Sequence, residues 1–80
     1  MGWKLTVRSP TPTLRIGDRV SWNSEAGVIH GTVTRIHTQK VDWHGYVHHA
    51  TIEEPQYELR SDQTGHVALH KGSALRREQN

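Results

Sequence analysis

The stretch from residue 15 to residue 36 constrains the fold of this chain more than any other part of the sequence. It contains a short run of alternating apolar and polar residues, Asp18–Trp22, then a turn, then a longer run, Val28–Ile36, with Gly31 inside it. Alternation with a period of two is typical of a strand that buries one face. A glycine within a strand marks a bulge, a sharp bend or a close approach of two backbones. The pattern predicts the first two strands of a small all-β barrel, with the second strand bending to join both halves of the sheet.

The second half of the chain predicts three more strands, separated by turns. Gln56–Arg60 and His66–His70 flank a hairpin turn, and Leu75–Glu78 follows a segment that is too short for more than one 3₁₀ turn. About five short strands with closely spaced turns are typical of a barrel. The predicted core consists of apolar side chains on these strands: Val20, Ile29, Val33, Ile36, Tyr57, Leu59, Val67, Leu69 and Leu75.

Composition excludes several classes of protein. Eighty residues make one domain, and only 32% of them are hydrophobic, so the core is thin. The absence of cysteine excludes disulfides, thiolate metal sites and cysteine nucleophiles, and no apolar run approaches the roughly 18 residues that span a bilayer. We therefore expect a monomeric, cytoplasmic protein without membrane contact. The net charge of +2 permits an acidic partner such as nucleic acid but does not require one.

The first 13 residues differ in pattern from the rest of the chain. Trp3, Leu5 and Val7 alternate with polar residues as in a short strand, but Pro10 and Pro12 then favour an extended linker. We expect residues 1–13 to form a flexible or loosely attached extension, and residues 14–80 to form the barrel.

Six short segments characterise the chain as a set and in their order, although no single one is specific: Val20-Ser21-Trp22-Asn23-Ser24, Gly31-Thr32-Val33, Tyr46-Val47-His48-His49-Ala50, Pro55-Gln56-Tyr57-Glu58, Ser61-Asp62 and His70-Lys71-Gly72-Ser73-Ala74-Leu75. Together they resemble the hypervirulence-associated TUDOR-domain proteins, a family of small bacterial and fungal proteins. The resemblance covers roughly residues 14 to 78. It implies an SH3-like, Tudor-type barrel, and it implies no activity, because a fold does not assign a function.

The aromatic side chains are candidates for ligand binding. Tudor domains that read methylated lysine or arginine hold the cation against several aromatic faces. This chain offers Trp22 and Tyr57 on the predicted strands and Trp43 and Tyr46 in the long irregular segment 37–55. Two interpretations stay open: the four rings share one end of the barrel, or Trp22 and Tyr57 belong to the core while the other two attach the loop to it.

The histidines of the same segment are candidates for contacts with a ligand, not for a metal site. His44 and His48 have a ligand spacing only on a helix, which Gly45 disfavours, and the adjacent His48 and His49 point to opposite faces of an extended chain. We expect no bound metal and no cofactor. No nucleophile elbow is present, so we expect no catalytic residues and no enzyme.

These observations predict a binding module. We expect it to take a protein or peptide at the barrel end formed by Trp22, the 37–55 loop and Tyr57, with His48 and His49 beside them. The alternative is a nucleic-acid binder, because Gly27 to Val33 is similar to barrels of the KOW type that bind RNA. Against that alternative, the basic residues are interleaved with acidic ones and form no continuous stripe.

Overall fold

The computed structural model describes residues 14–78. Nearly all of its regular structure is β-strand, which confirms the predicted all-β class. The predictions for residues 1–13 lie outside the described residues. The elements are β1 (Arg19–Ser24), β2 (Gly27–His37), β3 (Val41–Trp43), β4 (Tyr46–His48), β5 (Gln56–Ser61), β6 (Val67–Lys71), a 3₁₀ turn (Gly72–Ala74) and β7 (Arg76–Arg77).

Five of these strands form one antiparallel sheet in the order β6-β5-β2-β1-β7. The first half of β2 pairs with β1 and its second half pairs with β5, and the two pairings overlap at Gly31 and Thr32. The second strand therefore belongs to both halves of the sheet, as the sequence predicts. This arrangement fits a small Tudor-type barrel. β3 and β4 form a separate two-stranded sheet.

Gly31 is required because two neighbours occupy the space of a side chain. A Cβ atom built on Gly31 would lie 2.3 Å from the backbone oxygen of Arg60 and 2.8 Å from Cη2 of Trp22. Both distances are far shorter than a normal van der Waals contact. The glycine thus lets β5 and the Trp22 indole approach the backbone of β2 at the point where β2 changes partner.

A bulge in β2 changes which face of the sheet the following side chains occupy. The register against β5 shifts by one between Val33 and Arg35, so Thr34 is the extra residue. Simple alternation from Val33 would place Ile36 on the outer face. With the bulge, Ile36 lies opposite the buried Tyr57 and packs against the core.

The core lies on the concave side of the five-stranded sheet. Val20, Val33 and Leu59 are its largest fully buried side chains, and all three were predicted. Its buried members are Leu14, Val20, Trp22, Val33, Tyr57, Leu59 and Leu75, with Ile29, Ile36 and Ala68 packed against them.

The prediction that Val67 and Leu69 belong to the core is wrong. Leu59 is buried and lies opposite Ala68, and residues opposite each other in an antiparallel pair share a face. Ala68 and His70 therefore point inward, while Val67 is 43% exposed on the outer face. The error has a physical cause. The larger apolar residues of β6 lie on its outer face, so hydrophobicity alone assigns the wrong face of the strand to the core.

The prediction of an irregular segment over residues 37–55 is also wrong in part, because the segment contains the β3–β4 hairpin. A run of three residues on each strand is shorter than the windows that reveal periodicity. The single 3₁₀ turn before the last strand is confirmed, although that strand, β7, has only two residues.

Candidate functional site

The β3–β4 hairpin contains a tight two-residue turn. His44 and Gly45 both have positive φ angles, 53° and 85°, which are the signs that a type I′ turn requires. The Gly45 amide donates a hydrogen bond to Asp42 Oδ1 at 3.2 Å. Glycine adopts this conformation without strain, and histidine is among the few other residues found in it with some frequency. The turn fixes the register and therefore decides which side chains share a face.

One face of the hairpin is aromatic. Trp43 lies opposite Tyr46, and Val41 lies opposite His48, so these four side chains share a face. The Trp43 indole stacks on the His44 imidazole, with ring centroids 5.0 Å apart and planes 5° apart. Tyr46 is 73% exposed, whereas Trp43 and His48 are half-buried. The hairpin therefore presents an aromatic surface that is open to a partner.

The exposed apolar side chains concentrate in the same part of the chain. Of the six large hydrophobic residues that are exposed within residues 14–78, three lie between residues 46 and 52. They are Tyr46, Val47 at 57% exposure and Ile52 at 80% exposure. Single exposed apolar residues need no explanation, but a concentration of them marks an interaction surface.

Hydrogen bonds order the segment that returns from the hairpin to β5. The side-chain amide of Gln56, a buried residue, donates to the backbone oxygen of His49 at 3.1 Å. Thr51 and Glu54 form a turn, because the Thr51 amide donates to the Glu54 oxygen and the Glu54 amide donates to Thr51 Oγ1. Ile52 lies between these two residues. The loop therefore holds Ile52 at a defined place while leaving its side chain in solvent.

The structure buries both Trp22 and Tyr57, but it places only Trp22 far from the segment that contains the hairpin, because Tyr57 lies opposite Ile36 at the end of β2 where that segment begins. Trp22 and Tyr57 are core residues, exposed by only 6% and 3%. Trp22 lies opposite Ile29, near the β1–β2 turn, while the 37–55 segment leaves from the other end of β2. The eight residues between those points extend about 26 Å along the strand. The burial of both rings agrees with the second interpretation of the aromatic residues, in which Trp22 and Tyr57 belong to the core.

Trp22 instead forms the floor of a groove at the other end of the barrel. The groove has a volume of about 240 Å³ and lies between the β1–β2 and β5–β6 hairpins. Its lining consists of Trp22, Ser24, Ile29, Ser61, Gln63, Thr64, His66 and Ala68. The sequence does not predict this groove, because its polar rim comes from turn residues that carry no recognisable motif.

His70, on β6, packs beside the buried indole of Trp22. Its ring centroid lies 5.9 Å from that of Trp22, with the ring planes tilted by 48°. Burial lowers the pKa of His70 below the usual value near 6.5, because the charged imidazolium loses solvation inside the sheet. His70 is thus held neutral at physiological pH as a packing residue.

The ion pairs of the described residues lie on the five-stranded sheet. Arg77 donates to Asp18 Oδ2 at 2.9 Å, and the Arg15 amide donates to the same oxygen at 2.9 Å. The Arg15 hydrogen bond and then the Arg77 guanidinium lower the pKa of Asp18 below its usual value of 3.8. His30 pairs with Glu78 in the same region. These contacts attach β7 to the sheet and leave the hairpin outside the charged network.

Residues 14–78 contain no group of three or more His, Asp or Glu side chains arranged to hold a metal ion. In the same part of the chain, no helix has the length and apolar character needed to cross a membrane.

Comparison with known proteins places this geometry in a family. The family model described as the TUDOR domain of hypervirulence associated proteins matches residues 17–75. The chain belongs to this family. No curated protein and no solved structure matches the chain.

The matched part of the TUDOR domain includes both the aromatic hairpin and the Trp22 groove. It excludes β7, whose two residues follow the match. A Tudor-type domain is a small binding module rather than an enzyme, which agrees with the class expected from the sequence. The family does not specify a ligand.

Proposed function

We propose that this TUDOR domain is a non-enzymatic module that binds a protein or peptide through the β3–β4 hairpin and the loop behind it. The observation that carries the proposal is the concentration of exposed apolar side chains at Tyr46, Val47 and Ile52. Interfaces are enriched in aromatic residues at their centres, and Tyr combines a large apolar ring with a polar end. The half-buried Trp43 and His48, with the exposed His49, surround this centre.

The charge of the segment supports a protein rather than a nucleic acid. Residues 37–55 contain one lysine, Lys40, against three carboxylates, Asp42, Glu53 and Glu54. Nucleic-acid binding depends on cationic groups that neutralise phosphates, and three carboxylates oppose it. The open groove of about 610 Å³ on the outer face offers a nucleic acid one basic residue, Arg60, and it also contains the carboxylate of Asp62.

Site-specific photo-crosslinking tests the proposal by capturing the partner directly. A photoreactive amino acid replaces Val47 in one protein and Val28 in a matched control, since Val28 is an exposed valine on β2. We expect the probe at position 47 to capture one protein reproducibly from cell extract, and the probe at position 28 not to capture it. That protein is then purified for a direct measurement.

The direct measurement is calorimetric titration of the purified partner with the full 80-residue chain. We expect the triple variant Tyr46→Ser, Val47→Ser and Ile52→Ser to lose at least about tenfold in affinity, since central aromatic contacts dominate interfaces. The control variant Ile16→Ser and Val28→Ser removes two other exposed side chains and should bind as the natural chain does. Equal losses in both variants would show that the hairpin is not the binding surface, and crosslinks from position 47 to nucleic acid alone would show that its partner is not a protein.

A further inference from the structure

Strand β6 forms one edge of the five-stranded sheet, and the register shows which of its backbone groups face outward. The Ser61 amide donates to the His66 oxygen at 2.8 Å, which identifies this pair as hydrogen-bonded. Hydrogen-bonded and non-hydrogen-bonded pairs alternate along an antiparallel ladder. The amides of Val67, Leu69 and Lys71 therefore point away from β5. Within residues 14–78 no strand pairs with this edge.

This edge has few of the features that protect an exposed strand. Natural proteins block free edges with proline, bulges or several charged side chains. β6 has the sequence Val-Ala-Leu-His-Lys, without proline, and its pairing with β5 is regular over five residues. Only Lys71, at its end, carries a charge at neutral pH. Such an edge is suited to accept another extended segment.

The Trp22 groove adjoins the inner side of the same edge. Ala68 of β6 faces Trp22 and Ile29 there, and His66 lies at the rim. No Asp, Glu, Lys or Arg lines the groove, so it offers no counter-charge to a charged ligand. A strand added to β6 would project every second side chain toward the groove. The lining favours apolar side chains at those positions.

The sequence before the described residues has the required pattern. In Trp3-Lys4-Leu5-Thr6-Val7-Arg8 every second residue is apolar, and the run is about as long as β6. Leu14 is buried in the core, so this segment is tethered to the barrel by residues 9–13. Five extended residues reach about 17 Å. The Gly17 amide donates to the Val33 oxygen, so the chain that follows Leu14 lies beside β2 in the line of β1, three strand spacings or about 14 Å from β6, which is within the reach of the tether.

We propose that residues 3–8 of this chain add to the free edge of β6 as an extended strand, with Trp3, Leu5 and Val7 facing the Trp22 groove. The segment then covers the edge and excludes other chains from it. The outward amides of β6 and the uncharged groove beside them support an added strand at this edge, and the alternation of residues 3–8 selects the occupant. The inference does not depend on partner binding by the hairpin.

Amide hydrogen exchange of the full 80-residue chain tests the proposal by NMR. The test variant carries Trp3→Ser, Leu5→Ser and Val7→Ser. We expect exchange at Val67 and Leu69 to accelerate about tenfold or more, because the docked strand no longer protects them. Exchange at Ala68 and His70 should not change, since their amides point toward β5. These two residues also show that the barrel of the variant remains folded.

The matched control is Lys4→Ser, Thr6→Ser and Arg8→Ser, which alters the opposite face of the same segment. We expect it to exchange at the rate of the natural chain at Val67, Leu69 and Lys71. Identical rates in the natural chain and the test variant would overturn the proposal. So would protection that survives in the test variant and increases with protein concentration, because a second copy would then occupy the edge.

Discussion

The barrel and the β3–β4 hairpin are built from the same alternating pattern, yet they use it in opposite ways. In the barrel, one face of each long strand is buried, as with Val20, Val33 and Leu59. In the hairpin, each face keeps an exposed side chain: Tyr46 on one face and Val47 on the other are both more than half exposed, although Trp43 and His48 beside Tyr46 are half-buried. Side chains therefore alternate between two faces in both regions, but only a packed partner layer turns one face of an alternating strand into core. The barrel supplies stability, and the hairpin supplies surface.

The largest expected difference between the two regions is the cost of removing an apolar side chain. Leu59 is fully buried at the centre of the sheet, so Leu59→Ala should lower the free energy of unfolding by about 2–5 kcal/mol. Val47→Ala, in the hairpin, should change it by less than about 0.5 kcal/mol. Urea unfolding followed by far-UV circular dichroism measures both. Similar losses would show that the hairpin is part of the core.

Gly31 tests whether the barrel depends on close packing at the point where β2 changes partner. Gly31→Ala brings a methyl group into the Arg60 carbonyl and the Trp22 ring, so we expect a loss of about 1–3 kcal/mol in unfolding free energy. The neighbouring Thr32→Ala is the control, because Thr32 points to the opposite face. An alanine variant as stable as the natural chain would mean that β5 lies further from β2.

Most of the barrel could be predicted because its signals are local. The alternation of Val20 and Trp22 and the bend of β2 at Gly31 follow from residue type and spacing, whereas the bulge that returns Ile36 to the core is fixed only by the pairing of β2 with β5. β6 shows where such reasoning fails. Its inward residues, Ala68 and His70, are less apolar than its outward ones, and only the pairing with β5 decides between the two faces.

The candidate site could be predicted only in part, for a related reason. Residue type identified Trp43 and Tyr46, but nothing in their spacing shows that a tight turn places them opposite each other. Trp22 and Tyr57 look equally suited to a ligand site, and their burial depends on strands that are distant in sequence. Ile52 was missed because an isolated apolar residue before two glutamates carries no motif.

A pH titration separates the barrel from the hairpin through His70. Because burial lowers its pKa, the folded state holds His70 neutral while the unfolded chain gains a proton near pH 6.5. The stabilisation by neutral His70 is thus complete above pH 6.5 and is lost as the pH falls through the lower pKa of the folded state. We expect the natural chain to lose more stability between about pH 7 and pH 5 than His70→Gln does. Urea midpoints across that range measure the difference.

The control for that titration is His66→Gln, which removes an exposed histidine. It should lose as much stability as the natural chain when the pH is lowered. If His70→Gln and the natural chain show parallel pH profiles, His70 is solvated in both states, and the inward orientation of β6 would be contradicted.

The smallest expected effect concerns the turn of the hairpin. His44 has a φ angle of 53°, in the left-handed region that asparagine adopts more readily than other side chains do. His44→Asn should therefore stabilise the hairpin by about 0.5 kcal/mol and slow amide exchange in β3 and β4, with no effect on the five-stranded sheet. The exposed His49→Asn, outside the turn, is the matched control. Faster exchange in His44→Asn would instead contradict this expectation. It would show that stacking of the His44 imidazole on Trp43 stabilises the hairpin by more than the positive φ angle of histidine destabilises it. The aromatic surface and the turn would then depend on each other.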